Sequence, residues 1–166
     1  MKDAQQEERF QSLIEEHKRI LYKICNCYCK NRDDRDDLAQ EITIHLWNSF
    51  STFRESSRFS TWMYRVALNV AISFYRREST RTRNVVSSDI QLLNIADTAA
   101  EQTEDVKLLY HFIEGLDPMH KALMLLYLDG YIYQEIASVM GISETNVATK
   151  IGRLKQRLKQ EFDQTE

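Results

Sequence analysis

One proline and four glycines in 166 residues leave this chain few means of turning a strand back on itself. The tight turns that join strands favour glycine or proline at set positions, so a β-protein of this length would need many more of them. The chain therefore reads as all-α. Apolar periodicity places helices near residues 5–30, 34–50, 60–78, 105–115, 118–128, 132–140 and 144–162. The stretch from Glu78 to Asp105 is polar, acidic toward its end and weakly periodic apart from Ile90, Leu92 and Leu93. The expected organisation is two small helical domains, residues 1–80 and 105–166, joined by a linker over 81–104.

A composition of 43% hydrophobic and 28% charged residues is that of a globular chain. No apolar run reaches the roughly 18 residues of a membrane span. The opening MKDAQQEERF has charges where a signal peptide has its apolar segment, which makes a cytoplasmic location the expectation, with no membrane insertion. The three cysteines, Cys25, Cys27 and Cys29, suit a reducing compartment better than a disulfide framework. On a helix Cys25 and Cys29 share a face and Cys27 points away, so the three do not converge on one ion and read as small buried apolar groups. Neither a metal nor a cofactor is expected.

The net charge of −3 conceals a strong sorting of sign along the chain. From Arg54 to Arg83 seven arginines stand against Glu55 and Glu78, a local +5. From Asp89 to Asp117 seven acids stand against Lys107, a local −6. From Gly141 to Gln160, Lys150, Arg153, Lys155, Arg157 and Lys159 stand against Glu144, a local +4. A single charge run is usually a solvated face. Two basic runs, each on a helix with further signals, call for a look at geometry.

In FSTWMYRVALNVAISFYRR, residues 59–77, Ser60 is the expected N-cap and Phe59 can staple onto Tyr64. Trp62, Arg65, Asn69, Ser73 and Arg76 fall on one stripe of that helix, while Met63, Ala67, Val70, Ala71 and Phe74 take the apolar side. Cations, aromatic surface and an amide in line are the mixture that single-stranded nucleic acid recruits. This stretch alone leaves two readings open, because Trp62 equally well closes a core at the helix start.

Residues 133–160 carry a sharper pattern. A short helix bearing Ile136, Ala137 and Met140 is followed by a turn at Gly141 and by Ser143 as N-cap of a longer helix. This is the order of a helix-turn-helix, whose second helix is offered to the major groove. Val147, Ile151, Leu154 and Leu158 form a narrow inward seam. Thr145, Thr149, Gly152 and Gln156 point the opposite way, flanked by Lys150 and Arg153, so hydroxyls and amides can meet base edges while cations meet phosphates. The plainer alternative is a helical hairpin with a basic outer side.

Three segments in this order resemble the bacterial RNA polymerase sigma factors of the small, two-domain, extracytoplasmic-function (ECF) type. The acidic segment DRDDLAQEITIHLWNSF with the Asp before it resembles the region that binds the clamp helices of core RNA polymerase. The segment FSTWMYRVALNVAISFYRR resembles the region that recognises and melts the minus-10 element. The segment from Leu116 to Lys159 resembles the region that binds the minus-35 element. On a helix Asp37, Glu41 and Asn48 make a polar stripe with Leu38, Ile42 and Leu46 turned to the core. The helix dipole accounts for acids at its start but not for Glu41.

The resemblance implies core-polymerase contacts at Asp37, Gln40, Glu41 and Asn48, and minus-10 contacts at Arg58, Trp62, Arg65, Asn69, Ser73, Arg76 and Arg77. It also implies minus-35 contacts at Ser143, Thr145, Asn146, Thr149, Lys150 and Arg153, and a flipped minus-10 base held by the loop STFRESSRF. The implied partners are core polymerase through its beta and beta-prime subunits, promoter DNA and an anti-sigma factor. Ala148 and Gly152 depart from the family pattern, where a basic and a bulkier residue are common, which bears on minus-35 sequence preference. No long extension follows Glu166, so regulation is expected to come from a separate partner.

Two other classes compete. A helix-turn-helix repressor or activator would explain the last third of the chain but would leave the aromatic-basic and acidic helices without a task. An enzyme would need a constellation that is missing: His17, His45, His111 and His120 are scattered and no Gly-rich phosphate loop is present. The expected mechanism is binding and strand separation without covalent chemistry.

Overall fold

The computed structural model describes residues 2–81 and 103–166, and among these the chain forms helices and no strand. Two compact units emerge, Met1–Asp89 and Ile90–Glu166. The linker expected over 81–104 and the apolar patch at Ile90, Leu92 and Leu93 fall outside the described residues, save for the linker's outermost positions.

The first unit contains α1 (Lys2–Glu16), α2 (Lys18–Tyr28), α3 (Arg32–Ser49) and α4 (Phe59–Arg81), with a short 3-10 turn at Phe50–Thr52. The single helix expected over 5–30 is thus two. The break is at His17, whose backbone leaves helical values (φ −109°, ψ 17°) and whose ring Nδ1 lies 3.0 Å from the Leu13 carbonyl oxygen. A side chain that competes for an i−4 carbonyl loosens the helix there. The ring also packs on Phe59, 5.0 Å between centroids, so tertiary contact decides a break that periodicity did not show.

Helices α2, α3 and α4 pack pairwise around a core in which Ile24, Leu38, Ile42, Leu46, Met63, Tyr64, Ala67 and Ala71 are fully buried. The helix α3 starts where its cap dictates. The Asn31 side-chain oxygen accepts from the Asp34 N–H at 2.8 Å, and its amide donates back to Asp34 Oδ2 at 2.7 Å. The helix α4 starts one residue earlier than expected: Phe59, not Ser60, opens it, and the Trp62 N–H reaches the Arg58 carbonyl at 3.2 Å. Ser60 is therefore inside the first turn. Buried Phe59 packs on Phe53 and Trp62 as well as on His17, which fixes the entry of the helix by packing rather than by a hydroxyl cap.

The cysteines lie at the end of α2, all three buried and free of disulfides. Burial pushes the thiols of Cys25 and Cys29 up to about 12, with the neighbouring Cys25 adding to the effect at Cys29. They belong to the core.

The second unit contains α5 (Glu104–Glu114), α6 (Pro118–Leu128), α7 (Tyr133–Met140) and α8 (Glu144–Thr165). Three starts are capped as helix chemistry requires: Thr103 accepts from Val106 N–H, Asp117 from His120 N–H, and Ser143 from Asn146 N–H. Pro118 occupies the first helical position of α6, where its missing N–H costs nothing. Gly130 (φ 85°) closes α6 with Tyr131 N–H on the Leu126 carbonyl and Gly130 N–H on the Tyr127 carbonyl, and Gly141 (φ 68°) closes α7. Helices α7 and α8 pack together, with Ile136 and Val139 of α7 and Val147, Ile151 and Leu154 of α8 buried, whereas Leu158, expected to extend that seam, is half-buried.

Candidate nucleic-acid interface

Two helices of the first unit position the chemistry. Along α4 the side chains of Arg65, Asn69, Ser73, Arg76 and Arg77 are exposed, while Met63, Ala67, Val70, Ala71 and Phe74 are buried, so the two faces read from the period are the two faces present. Arg58 is exposed in the preceding loop. Trp62 has a double position. It is half-buried, within 6.2, 5.4 and 5.4 Å of the rings of Phe50, Phe53 and Phe59, so it closes the aromatic end of the core and leaves only part of its surface to a base.

The loop ahead of α4 lies over this aromatic cluster. A shallow cleft of ≈ 360 Å³ is lined there by Gln5, Gln6, Arg9, Phe50, Ser51 and Phe53. Arg9 pairs with Glu55 and lies 5.8 Å from the centre of the Phe50 ring, which ties α1 to the loop.

On α3, Asp37, Gln40 and Asn48 are exposed and Glu41 is half-buried. The exposed face also holds two large apolar side chains that the charge argument passed over: Ile44 is 59% exposed and Trp47 41%. Ile44 follows Asp37 by seven residues and so falls on the same stripe. That spacing was readable from the sequence, but only once burial was known could an isoleucine on a polar stripe be told from a core residue. Trp47 is partly held by Phe10, at 5.1 Å.

The helices α3 and α4 are joined across their outer edge by an ion pair. Arg77 Nη2 donates to Glu41 Oε1 at 2.6 Å, with side-chain exposures of 59% and 32%. Two clefts flank it, one of ≈ 580 Å³ lined by Asp37, Glu41, Phe74, Arg77, Glu78 and Thr80. The other, of ≈ 530 Å³, includes Glu41, His45, Asn69, Ser73 and Arg77. The expected polymerase-facing residue Glu41 and the expected DNA-facing residue Arg77 are therefore partners of each other. An exposed pair of this kind contributes roughly 0–1 kcal/mol.

In the second unit Ser143, Thr145, Asn146, Thr149 and Arg153 are exposed and Lys150 is half-buried, at the N-cap and along the first three turns of α8. Thr149 Oγ1 donates to the Thr145 carbonyl at 3.0 Å, which spends its hydroxyl proton within the helix and leaves the oxygen as an acceptor. The basic run divides. Lys155 Nζ lies 4.7 Å from the centre of the Tyr127 ring and Arg157 5.7 Å from that of Phe112, so these two cations turn toward α6 and α5. The Tyr127 hydroxyl helps to raise the Lys155 ammonium above its ordinary range. Arg153 and Lys159 are exposed away from the buried seam of α8, and half-buried Lys150 stands at its flank.

A helix-turn-helix with a polar, basic outer face, and a separate helical unit with one acidic and one basic-aromatic helix, are thus both present. Residues 13–81 match the family Sigma-70 region 2, and residues 107–158 match Sigma-70, region 4. The ECF RNA polymerase sigma factor SigX of Bacillus subtilis (strain 168) is 31% identical over 153 residues, which span 86% of this chain and 78% of the relative. The chain belongs to the ECF RNA polymerase sigma factors.

Two solved structures share the fold of this sigma factor. The sigma factor RpoE in complex with the anti-sigma factor NepR from Bartonella quintana has a TM-score of 0.71 at 17% identity, covering 98% of each chain. CnrH in complex with the cytosolic domain of CnrY has a TM-score of 0.68 at 21% identity, over 98% of this chain and 96% of that one. This sigma factor directs RNA polymerase to promoters; α3 and α4 belong to its region 2 and α5 to α8 to its region 4. A repressor or activator acting outside the polymerase is not favoured, since it accounts for residues 107–158 and leaves the match at 13–81 without a role. The chain is a regulatory factor. Among the described residues no helix is long and apolar enough to cross a membrane.

Proposed function

We propose that this sigma factor divides its work among three surfaces, with polymerase docking on α3, minus-10 recognition and melting on α4, and minus-35 binding on α8. The observation that carries the reading is the exposure of Asn69 in line with Arg65, Ser73 and Arg76 on a helix whose opposite face is fully committed to the core. An amide between cations suits an unpaired strand, where base edges and phosphates lie within reach of one helix face.

Asp37, Gln40, Glu41 and Asn48 form the polymerase surface, and exposed Ile44 and Trp47 give it an apolar centre of the kind interfaces use. Arg58, Trp62, Arg65, Asn69, Ser73, Arg76 and Arg77 form the minus-10 surface. Trp62 contributes its accessible edge, and the loop over the aromatic cluster holds the flipped base. Ser143, Thr145, Asn146, Thr149, Lys150 and Arg153 form the minus-35 surface. The Ser143 oxygen is spent on its cap at 3.1 Å, which leaves the hydroxyl proton to donate to a phosphate at the positive end of α8.

The domain division that follows is 1–80 for polymerase and minus-10 binding, 81–104 as linker and 105–166 for minus-35 binding. Tandem attachment raises the joint affinity of two modest sites through effective concentration. The factor acts in the cytoplasm and contributes address and strand separation while core polymerase performs the chemistry. An anti-sigma protein is its regulator, supported by the RpoE–NepR complex, whose sigma factor shares its fold.

The test is transcription in vitro with core polymerase on a promoter library. Specific starts should fall at least fivefold for Asn69→Ala and for Arg153→Ala, each loss corresponding to roughly 1–3 kcal/mol of lost base or phosphate contact. Full activity of both variants would reject the assignment of α4 and α8.

A further inference from the structure

We infer that the Glu41–Arg77 ion pair is an internal latch: it withholds Arg77 from nucleic acid in the free factor and opens when a cation of the polymerase takes Glu41. The inference rests on the reading that α3 meets polymerase and α4 meets DNA. It goes beyond that reading by coupling the two surfaces through one named contact.

The geometry supplies the argument. Glu41 and Arg77 are 36 positions apart in sequence, and their side chains meet at 2.6 Å on the edge where α3 and α4 lie side by side. The Arg77 guanidinium is also 5.7 Å from the centre of the Phe74 ring, a second contact that holds it over the helix edge. Both partners line both flanking clefts, so the pair forms the partition between them. Asp37 lines the first cleft together with Glu41, so a phosphate approaching Arg77 from there meets carboxylate charge beside the guanidinium. Arg76, the next residue, lines neither of these clefts and faces solvent.

Neutralising Glu41 changes both terms at once. The guanidinium loses its anionic partner, and the repulsion felt by the incoming phosphate falls by one charge. The pair is reachable by solvent at both ends, so an incoming cation can exchange for Arg77 without disturbing the core. Linkage makes the effect reciprocal: DNA that captures Arg77 releases Glu41 and strengthens polymerase docking by the same factor. The factor would thus keep its grip on single strands weak until it is mounted on polymerase.

The experiment follows binding of the full chain to a fluorescein-labelled, random-sequence 12-nucleotide single strand by anisotropy, with and without saturating core polymerase. Without polymerase, Glu41→Gln should tighten binding about fivefold, a shift equivalent to about 1 kcal/mol. In an Arg77→Gln background the same change should tighten binding less than twofold. With core polymerase present, Glu41→Gln and the parent chain should bind the strand alike. Equal tightening in both backgrounds would mean general charge neutralisation and would overturn the latch. No tightening in the free factor, or a fivefold difference that persists on polymerase, would overturn it too. Titration of Glu41→Gln against core polymerase is read separately: unchanged docking rejects the role given to α3, whereas the latch within the free chain is decided by the DNA cycle alone.

Discussion

Gly152 shows how a single position can trade stability for access. It lies in the middle of α8, exposed, with nothing within 4 Å of where a Cβ would be placed, so no packing demands a glycine there. Gly152→Ala should raise the stability of the factor by about 1 kcal/mol, seen as a higher urea midpoint at unchanged slope. Promoter binding should hold or weaken, according to how closely the α8 backbone approaches the groove. The cysteines make a second prediction at this scale. Burial pushes the thiols of Cys25 and Cys29 up to about 12 in the folded chain, whereas an unfolded thiol ionises near the ordinary 9.0. Between those values the unfolded state binds fewer protons than the native state, so stability is full below pH 9 and declines as pH rises above it. Native protein at pH 8 should resist thiol reagents, and labelling should appear only on unfolding; rapid labelling of the native chain would contradict the buried placement.

At the scale of the helices, caps and packing divide the task of defining ends. In α6 the Asp117 carboxylate accepts from the His120 N–H at 3.0 Å and also meets the His120 ring. Burial by itself would raise this carboxyl, but the bonds from His120 outweigh it and hold it below the ordinary 3.8. Asp117→Ala should cost about 1 kcal/mol of stability at pH 7. Because the folded group is the more acidic one, that cost is full above the ordinary value and fades as pH falls below it, so the gap between parent and variant urea midpoints should narrow progressively in acid. Caps of this sort were legible in the sequence: Ser143 and Gly141 are where residue type predicts them. The start of α4 and the break at His17 were not, because Phe59 and His17 are placed by each other's rings, and that contact joins residues 42 positions apart. The exposed Ile44 escaped for a related reason, since an isoleucine in a helix is assigned to the core unless its neighbours are known.

On the scale of the whole molecule, charge sorting predicts how the assembled factor responds to salt. If the cations assigned to α4, its preceding loop and α8 each meet one phosphate, promoter binding by the polymerase complex should fall with salt more steeply than for a factor lacking the α8 contacts. These cations then contribute roughly −5 to the log–log slope, and Lys150→Ala with Arg153→Ala should reduce its magnitude by about 2. An unchanged slope in that double variant would remove α8 from the DNA contacts. The sequence by itself determined the helical class, the two helical units, the buried and outward faces of α4 and α8, and the segregation of basic charge. These follow from local spacing, from turn residues and from composition, none of which depends on where distant segments lie. Only the tertiary structure decided that Trp62 closes the aromatic end of the core, that the exposed Lys155 and Arg157 lie against rings of α6 and α5, and that Glu41 holds Arg77. Each of these is a contact between helices, whose energy depends on distance in space and leaves no period along the chain.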